Sequence, residues 1–579
     1  MKKIWRIKAP SPSAALLARE TNLSLLEAQL LIHRGISDAG TAHSFLSPRL
    51  SQLLDPMLLK DMDRAVASIL RAVEDQRPIT IYGDFDVDGL TATALLLRFF
   101  ASLDIPASAY IPNRFQEGYG LNPAAVTKIA HRGPGLLITV DCGIANREEI
   151  ALAQNLGMEV VVTDHHRLPG DFEPVCPVVN PQRPDSQFPF RHLSGAGLTF
   201  LLTIALRAAM RQRAWFRHRP EPDLKAYLIL VALGTIADMV PLVDQNRILV
   251  ASGLQRMDPA LWPGIEALQD IAGTGATAPL SAEELAFTWA PRLNAPGRLG
   301  AADVALRVLT SREQSIAKVA AAELNRMNQR RQAIERNVLA DVERQLESAG
   351  DLAHQRTLIL AGLDWHRGVL GIVASRLANR LHRPTLVMSV NGHLAYGSGR
   401  SITGFNLYHA LSQNAHLFRT FGGHDHAAGF TIEANRIADL QRELEAYARR
   451  ELTEGLLTPE VVIDAEVSLA ELTRERIAAV RSLSPFGTGN PEPLFYASGV
   501  EVLRSHVVGE RHVRLLLRQG NAVVEAVGFG LSEKAPGKGD RIDAVFTPDI
   551  NRWQGNEKIQ LRLKDVDEGG KTSRLVREM

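Results

Sequence analysis

The chain has 579 residues, 45% hydrophobic and 22% charged, with a formal net charge of +1. That size and apolar content allow several buried cores, about three or four domains, and the balanced charge excludes a uniformly basic nucleic-acid coat, so any nucleic-acid surface is a local patch. Two cysteines, Cys142 and Cys176, exclude a disulfide framework and a Cys-based zinc site and fit a reducing compartment.

The opening MKKIWRIKAPSPSAALLARE lacks the continuous apolar core of a signal peptide. The apolar stretches near Gly197 to Met210 and Tyr227 to Met239 are too short or too interrupted to span a bilayer, so a soluble cytoplasmic protein is expected. Apolar residues three or four apart predict a helical lead-in over residues 1–54. From residue 55 to 270, strand-like and helix-like runs alternate, as in a mainly parallel sheet covered by helices.

Within that region Ile79 to Leu97 reads ITIYGDFDVDGLTATALLL, which predicts a strand, a tight turn and a helix. Asp84, Asp86 and Asp88 then sit at the carboxyl end of a strand, where open α/β sheets bind ligands, and three like charges there call for a hard cation. A solvated Asp-rich turn is the competing reading. An EF-hand fails because Leu95 stands at the twelfth position, where its loop needs Glu, and no helix precedes the loop. Two more apolar runs end alike, GLLITVDCGI in Asp141 and MEVVVTDHHRLP in Asp164, His165 and His166. A fourth, LILVALGTIADMVPL, is read as another strand-like segment and contains Asp238, whose burial would be costly without a cation or hydrogen-bond partner. Four such ends can build one site on a sheet edge.

Residues 271–350 read as a helical connector, since Ser311 to Ala349 has no Pro and no Gly. Its charged faces read as solvated, with Arg326, Arg330 and Arg331 as an alternative DNA path. A second α/β unit spans 351–455 and carries GSGRS and GGHDHAAGF, turns in which backbone N–H groups approach phosphate while Ser398 and Arg400 add donors. An ordinary loop is the alternative. Short alternating runs over 456–568 predict a small β-barrel, with an OB-fold as the single-strand platform and Trp553 at a hairpin. Residues 569–579 read as a flexible tail.

GDFDVDG, VDCG, TDHH and GTIADMVPL resemble the four successive motifs of the DHH phosphoesterase family, and their order and flanks resemble its RecJ branch, the single-strand-specific 5′ to 3′ DNA exonucleases. The resemblance runs through nearly the whole chain. It implies a DHH core with a parallel sheet, a DHHA1 α/β accessory domain joined by a long helix, marked by GGHDHAAGF, and a C-terminal OB-fold barrel. It also implies two Mg²⁺ or Mn²⁺ ions: Asp84 and Asp86 on one, Asp88, His165 and Asp238 on the other, Asp141 bridging, His166 at the scissile phosphate or orienting its neighbour, and Asp164 supporting the histidines. Small-molecule members of the superfamily carry a ligating His where this chain has Tyr82.

By the same resemblance Arg114 joins Ser398 and Arg400 at a 5′ phosphate, and Tyr119 meets the leading nucleotide. Asn294, Arg298 and His424 are further substrate contacts, and Trp553 holds the trailing strand. The implied activity releases 5′-mononucleotides from single-stranded DNA in repair and recombination, mismatch repair included, by a monomer working with a helicase and a single-strand-binding protein. A phosphodiesterase for short oligonucleotides or cyclic dinucleotides shares the core but needs no distant platform. A non-catalytic single-strand-binding scaffold is the third reading, which the complete acidic set opposes.

Overall fold

Short, mainly apolar runs closed by turn residues become the strands that place the site. The computed structural model describes residues 3–255, 261–273, 280–348, 355–553, 556–571 and 573–578, with the side chains of 552, 553 and 556 outside the described residues. The chain forms two compact units, Arg34–Gln329 with Ser482–Glu492, and Met1–His33 with Arg330–Arg481 and Pro493–Met579.

The first strand is β1 (Lys3–Ile7). The sheet of the Arg34–Gln329 unit follows, with β2 (Ile79–Gly83), β3 (Ala107–Tyr110), β4 (Leu136–Val140), β5 (Glu159–Thr163) and β6 (Val178–Val179), ordered β3-β2-β4-β5-β6. All neighbours pair in parallel. Parallel strands covered on both faces are apolar throughout, and β2 and β4 are buried at every residue. Alternate side chains feed two cores: Ile79, Ile81, Leu136 and Ile138 face one, and Tyr82, Leu137, Val160 and Val162 the other. The chain leaves β2 for β3 on one side and returns to β4 on the other. The crevice at their carboxyl ends is therefore the topological switch point, the place where such sheets bind ligands.

Helices Val87–Ser102, Gly195–Gln212 and Leu228–Ala237 pack together around Leu95, Phe99, Leu202 and Leu230. The last corrects an expectation, since LILVALGTIA is a helix and not a strand. It is buried on all sides, so its continuous apolarity carries no period that separates the two. The core also takes in Leu285, Trp289, Val308 and Leu324, so much of the expected connector is part of this unit. Ser311 to Ala349 becomes one helix, Gln314–Ser348, in which Arg331 is buried against Glu335 and so is not on an open DNA path.

The other unit continues with β7 (Leu358–Leu363), β8 (Thr385–Asn391), β9 (Leu394–Arg400), β10 (Phe418–His424) and β11 (Ala427–Glu433), in the order β10-β11-β9-β8-β7. Short strands β12 (Glu460–Ile463) and β13 (Ala465–Glu466) lead to β14 (Phe495–Val508), β15 (His512–Gln519), β16 (Ala522–Gly528), β17 (Arg541–Trp553) and β18 (Asn556–Asp567). The β14–β17 pairing closes β14-β15-β16-β18-β17 into a barrel. Within the expected tail, β19 (Ser573–Arg577) is a strand that pairs in parallel with β1, which pairs with β12. The lead-in is likewise not wholly helical. Trp5 anchors this small sheet, buried at 2% exposure against Tyr496 and reaching Asp565 with its indole N–H at 3.3 Å. Among the described residues no helix is long and apolar enough to cross a membrane.

Candidate active site

The turn after β2 exists because Asp86 caps the helix that follows. Its Oδ1 accepts from the backbone N–H of Asp88 at 3.0 Å and of Gly89 at 3.1 Å. This leaves Asp84 buried at the strand end and Asp88 in the first helical turn. Asp141 follows β4 directly, and Asp164, His165 and His166 follow β5. Asp238 ends the helix Leu228–Ala237 and closes the ring of groups.

Their ligand atoms converge. Asp84, Asp86 and Asp141 form one group, Asp88, His165 and Asp238 a second, and Asp141, His165 and His166 a third, the atoms of each within 4.8 Å of one another. His165 Nε2 lies 3.0 Å from Asp141 Oδ1, 3.6 Å from Asp238 Oδ2 and 3.8 Å from Asp88 Oδ2. Among the described residues, His165 Nε2, Asp141 Oδ1 and Asp84 Oδ1 are buried with no hydrogen-bond partner.

Charge makes this arrangement unsustainable alone. Burial and then the Asp86 charge push Asp88 up to about 7, and burial with Asp88 pushes Asp238 up to about 9. Asp84 and Asp141 are raised well above the carboxylate range by burial and by their acidic neighbours. Burial and the adjacent His166 lower His165 to about 4. The imidazole is therefore neutral at physiological pH, and its short distance to Asp141 is not a charge pair. A ring nitrogen and a carboxyl oxygen 3.0 Å apart, both buried and without a hydrogen-bond partner, fit a shared cation. Oxygen-rich donors with one imidazole suit Mg²⁺ or Mn²⁺.

The surrounding residues hold the donors in place. Asp164 is spent on its neighbours, accepting from the Ile144 N–H at 2.9 Å, the His166 N–H at 3.0 Å and the His166 ring at 2.8 Å. Burial opposes the charge on His166, but the Asp164 hydrogen bond and charge outweigh it and raise the group to about 9. His166 is thus a half-exposed cation beside the acids. Its Nδ1 lies 3.1 Å from the Tyr119 hydroxyl, which also donates to the Asp141 carbonyl at 3.3 Å. Tyr82 is fully buried with its hydroxyl on the Gly120 carbonyl at 2.8 Å and takes no part in the donor set.

Sequence reasoning missed the segment HLSGAGL. Ser194 caps the helix Gly195–Gln212, and the N–H groups of Gly195 and Ala196 hold the two oxygens of Asp88 at 2.6 and 2.9 Å. A helix N-terminus therefore orients this carboxylate and shares its charge. No side chain fits there: a Cβ on Gly195 would lie 2.7 Å from Asp141 Cβ, and one on Gly234 2.6 Å from Asp88 Oδ1. The serine before Gly-Ala-Gly was the available signal, a cap opening an apolar helix.

The other expected contacts are distributed as follows. Arg114 is exposed, its guanidinium 5.1 Å from the centre of the Phe85 ring, between two of the acids in sequence. Asn294 and Arg298 lie on the helix Ala290–Arg298, whose Gly297 abuts the Phe85 carbonyl. In the other unit Arg400 donates to Ser398 Oγ at 3.2 Å. Across the sheet Ser398 is in register with Gly429 and Gly422, and Arg400 with Ala427 and His424. The period of two puts Ser398, Arg400 and His424 on one face, beside two glycines with open space above them. The Trp553 side chain lies outside the described residues.

A parallel sheet with three acid-bearing strand ends at its switch point and a fourth acid from a helix end, an α/β accessory domain and a barrel together define a DHH-type phosphoesterase with a divalent-metal centre. The family models agree: the DHH family N-terminal domain matches residues 78–235, the DHHA1 domain 354–450 and the RecJ OB domain 463–565. The single-stranded-DNA-specific exonuclease RecJ of Bacillus subtilis is 36% identical over 97% of this chain and 70% of its own length. That of Escherichia coli is 37% identical over 88% of this chain and 90% of its own. The crystal structure of RecJ in complex with Mn²⁺ from Thermus thermophilus matches with a TM-score of 0.82 at 31% identity, covering 97% of this chain and 79% of that one. The chain belongs to the RecJ family.

Proposed function

We infer that this protein is a metal-dependent, single-stranded-DNA-specific exonuclease that hydrolyses phosphodiester bonds from the 5′ end and releases 5′-mononucleotides. The observation that carries the reading is the neutral His165 nitrogen facing Asp141 within a set of buried carboxylates. Asp84 and Asp86 would hold one divalent ion, Asp88, His165 and Asp238 a second, with Asp141 shared. Such ions, when bound, supply Lewis-acid stabilisation of the attacking and leaving oxygens of an in-line displacement.

The chain's own residues supply the rest. His166, kept cationic by Asp164, donates to a non-bridging oxygen of the scissile phosphate. Tyr119, half-exposed and braced on the Asp141 backbone, offers its ring to the leading base. Gly195 and Ala196 keep Asp88 aimed inward. Arg114, Asn294 and Arg298 in one unit, and Ser398, Arg400 and His424 in the other, are the proposed backbone contacts. The barrel, Trp553 included, is the proposed holder of the trailing strand. A cytoplasmic monomer acting on strands opened by a helicase, alongside a single-strand-binding protein, completes the reading, and the two buried free thiols fit a reducing compartment.

An oligonucleotide labelled separately at each end, offered single-stranded and as a blunt duplex with Mn²⁺, Mg²⁺ or EDTA, tests this directly. Mononucleotides should appear from the 5′ end of the single strand alone, only with metal, and not with Asp141→Ala. Turnover confined to dinucleotides would transfer the chain to the small-substrate phosphodiesterases, and binding without turnover to the scaffolds.

A further inference from the structure

We propose that the segment Ser482–Glu492, which precedes the barrel in the chain, is a positioning strap for Asp238 and so sets the affinity of the ion site to which Asp238 contributes. The inference rests on the assignment of Asp238 as an ion ligand.

Asp238 stands at the end of its helix, and the chain beyond it offers little local support. Met239 takes a left-handed backbone, φ 61°, and is 72% exposed. Beyond the helix end the chain is next tied down at Pro241 and Leu242. The Leu242 N–H donates to the Thr488 carbonyl at 2.7 Å, and the Leu242 side chain is buried. Gly487 and Gly489 lie flat on this loop. A Cβ on Gly487 would meet Leu242 Cδ1 at 2.7 Å, and one on Gly489, whose φ is 74°, would meet Pro241 Cβ at 2.9 Å.

The strap is itself held rigid. Gly487 and Asn490 exchange backbone hydrogen bonds at 2.9 and 3.1 Å. The buried Asn490 amide donates to the Leu483 and Pro485 carbonyls, both at 2.8 Å, and its oxygen accepts from Arg34 at 2.6 Å. Arg247, 2% exposed, donates to the carbonyls of Ser484 at 2.8 Å, Pro485 at 3.4 Å and Phe45 at 2.7 Å, with its guanidinium 3.6 Å from the Phe45 ring centre. A buried arginine committed to backbone carbonyls fixes where a loop runs. Asn246 completes the clamp by donating to the Pro241 carbonyl at 3.0 Å and the His192 carbonyl at 2.6 Å. These contacts act through Asp238, so the strap residues are positioning residues.

The test is a calorimetric titration of Mn²⁺ into the metal-free full-length protein, comparing Gly489→Ala and Asn490→Ala with Asp238→Asn, with melting curves in EDTA as a check on folding. Each strap variant is expected to weaken one ion site by about tenfold or more, the size of effect seen when a residue supporting a ligand is lost, and to leave the other unchanged. Wild-type affinity in the strap variants beside a lost site in Asp238→Asn would overturn the inference while leaving the metal assignment standing. Wild-type binding in Asp238→Asn would overturn both. Gly489→Ala presses on Pro241 and Asn490→Ala loosens the strap from within, so the result stands on either one if the other does not fold.

Discussion

Replacing Asp238 with asparagine is expected to make the metal-free protein more stable while abolishing its nuclease activity. The carboxyl is raised to about 9 by burial and by the charges of Asp88 and Asp86, with its side chain 22% exposed. At pH 8 it keeps a proton in the folded state that the unfolded chain has released, a difference of about four factors of ten, or about 6 kcal/mol at about 1.4 kcal/mol each. The neighbouring carboxylates share that strain, so one substitution recovers roughly half, about 3 kcal/mol. For a unit of this size that corresponds to about 5 °C in melting temperature. Asparagine keeps the shape and removes the charge, so packing changes little. The assay is thermal unfolding in EDTA at pH 8, repeated with Mn²⁺, where the ordering should reverse because the wild type gains more from the ions. Unchanged metal-free stability in the variant would refute the claim that like charges are held together there.

The same groups set a pH dependence. Asp88 and Asp238 are raised to about 7 and about 9, and His166 to about 9, so the folded protein binds more protons than the unfolded chain over this range, and metal-free stability should fall as pH rises from 6.5 to 9. His165, lowered to about 4, acts below that window. A flat melting profile in EDTA would contradict this. Gly234→Ala, whose Cβ would sit 2.4 Å from Thr91 Oγ1 and 2.6 Å from Asp88 Oδ1, should cost about 1–3 kcal/mol of stability and reduce kcat at least tenfold; urea melts and single-turnover rates check both. Arg400→Gln should remove any preference for a 5′-phosphorylated over a 5′-hydroxyl end, with a loss in kcat/KM of about ten- to a hundredfold on the phosphorylated strand alone, since about 1.5–3 kcal/mol goes with one charged hydrogen bond. An equal loss on both ends would point away from a phosphate contact.

Much of this was legible in the residues. An apolar run broken by an acid is readable as a strand end, and β2, β4 and β5 each deliver their acids as written. The helix of Asp238 was not readable, because burial on all sides erases the period that distinguishes helix from strand. The grip of Gly195 and Ala196 on Asp88 joins residues 107 and 108 positions apart, and no local pattern reports such a contact. The same holds for β19, which looked like a polar tail because its partner β1 is at the other end of the chain. Ser482–Glu492 has the Gly and Pro content of a linker, and only the packing on Pro241 and Leu242 separates it from one.

The most direct test of the metal centre is an anomalous difference map from crystals of the protein grown with Mn²⁺. Two peaks are expected, one among Asp88, His165 and Asp238 and one beside Asp84 and Asp86, with Asp141 touching both. A single peak, or peaks away from these side chains, would contradict the two-ion site on which the mechanism rests.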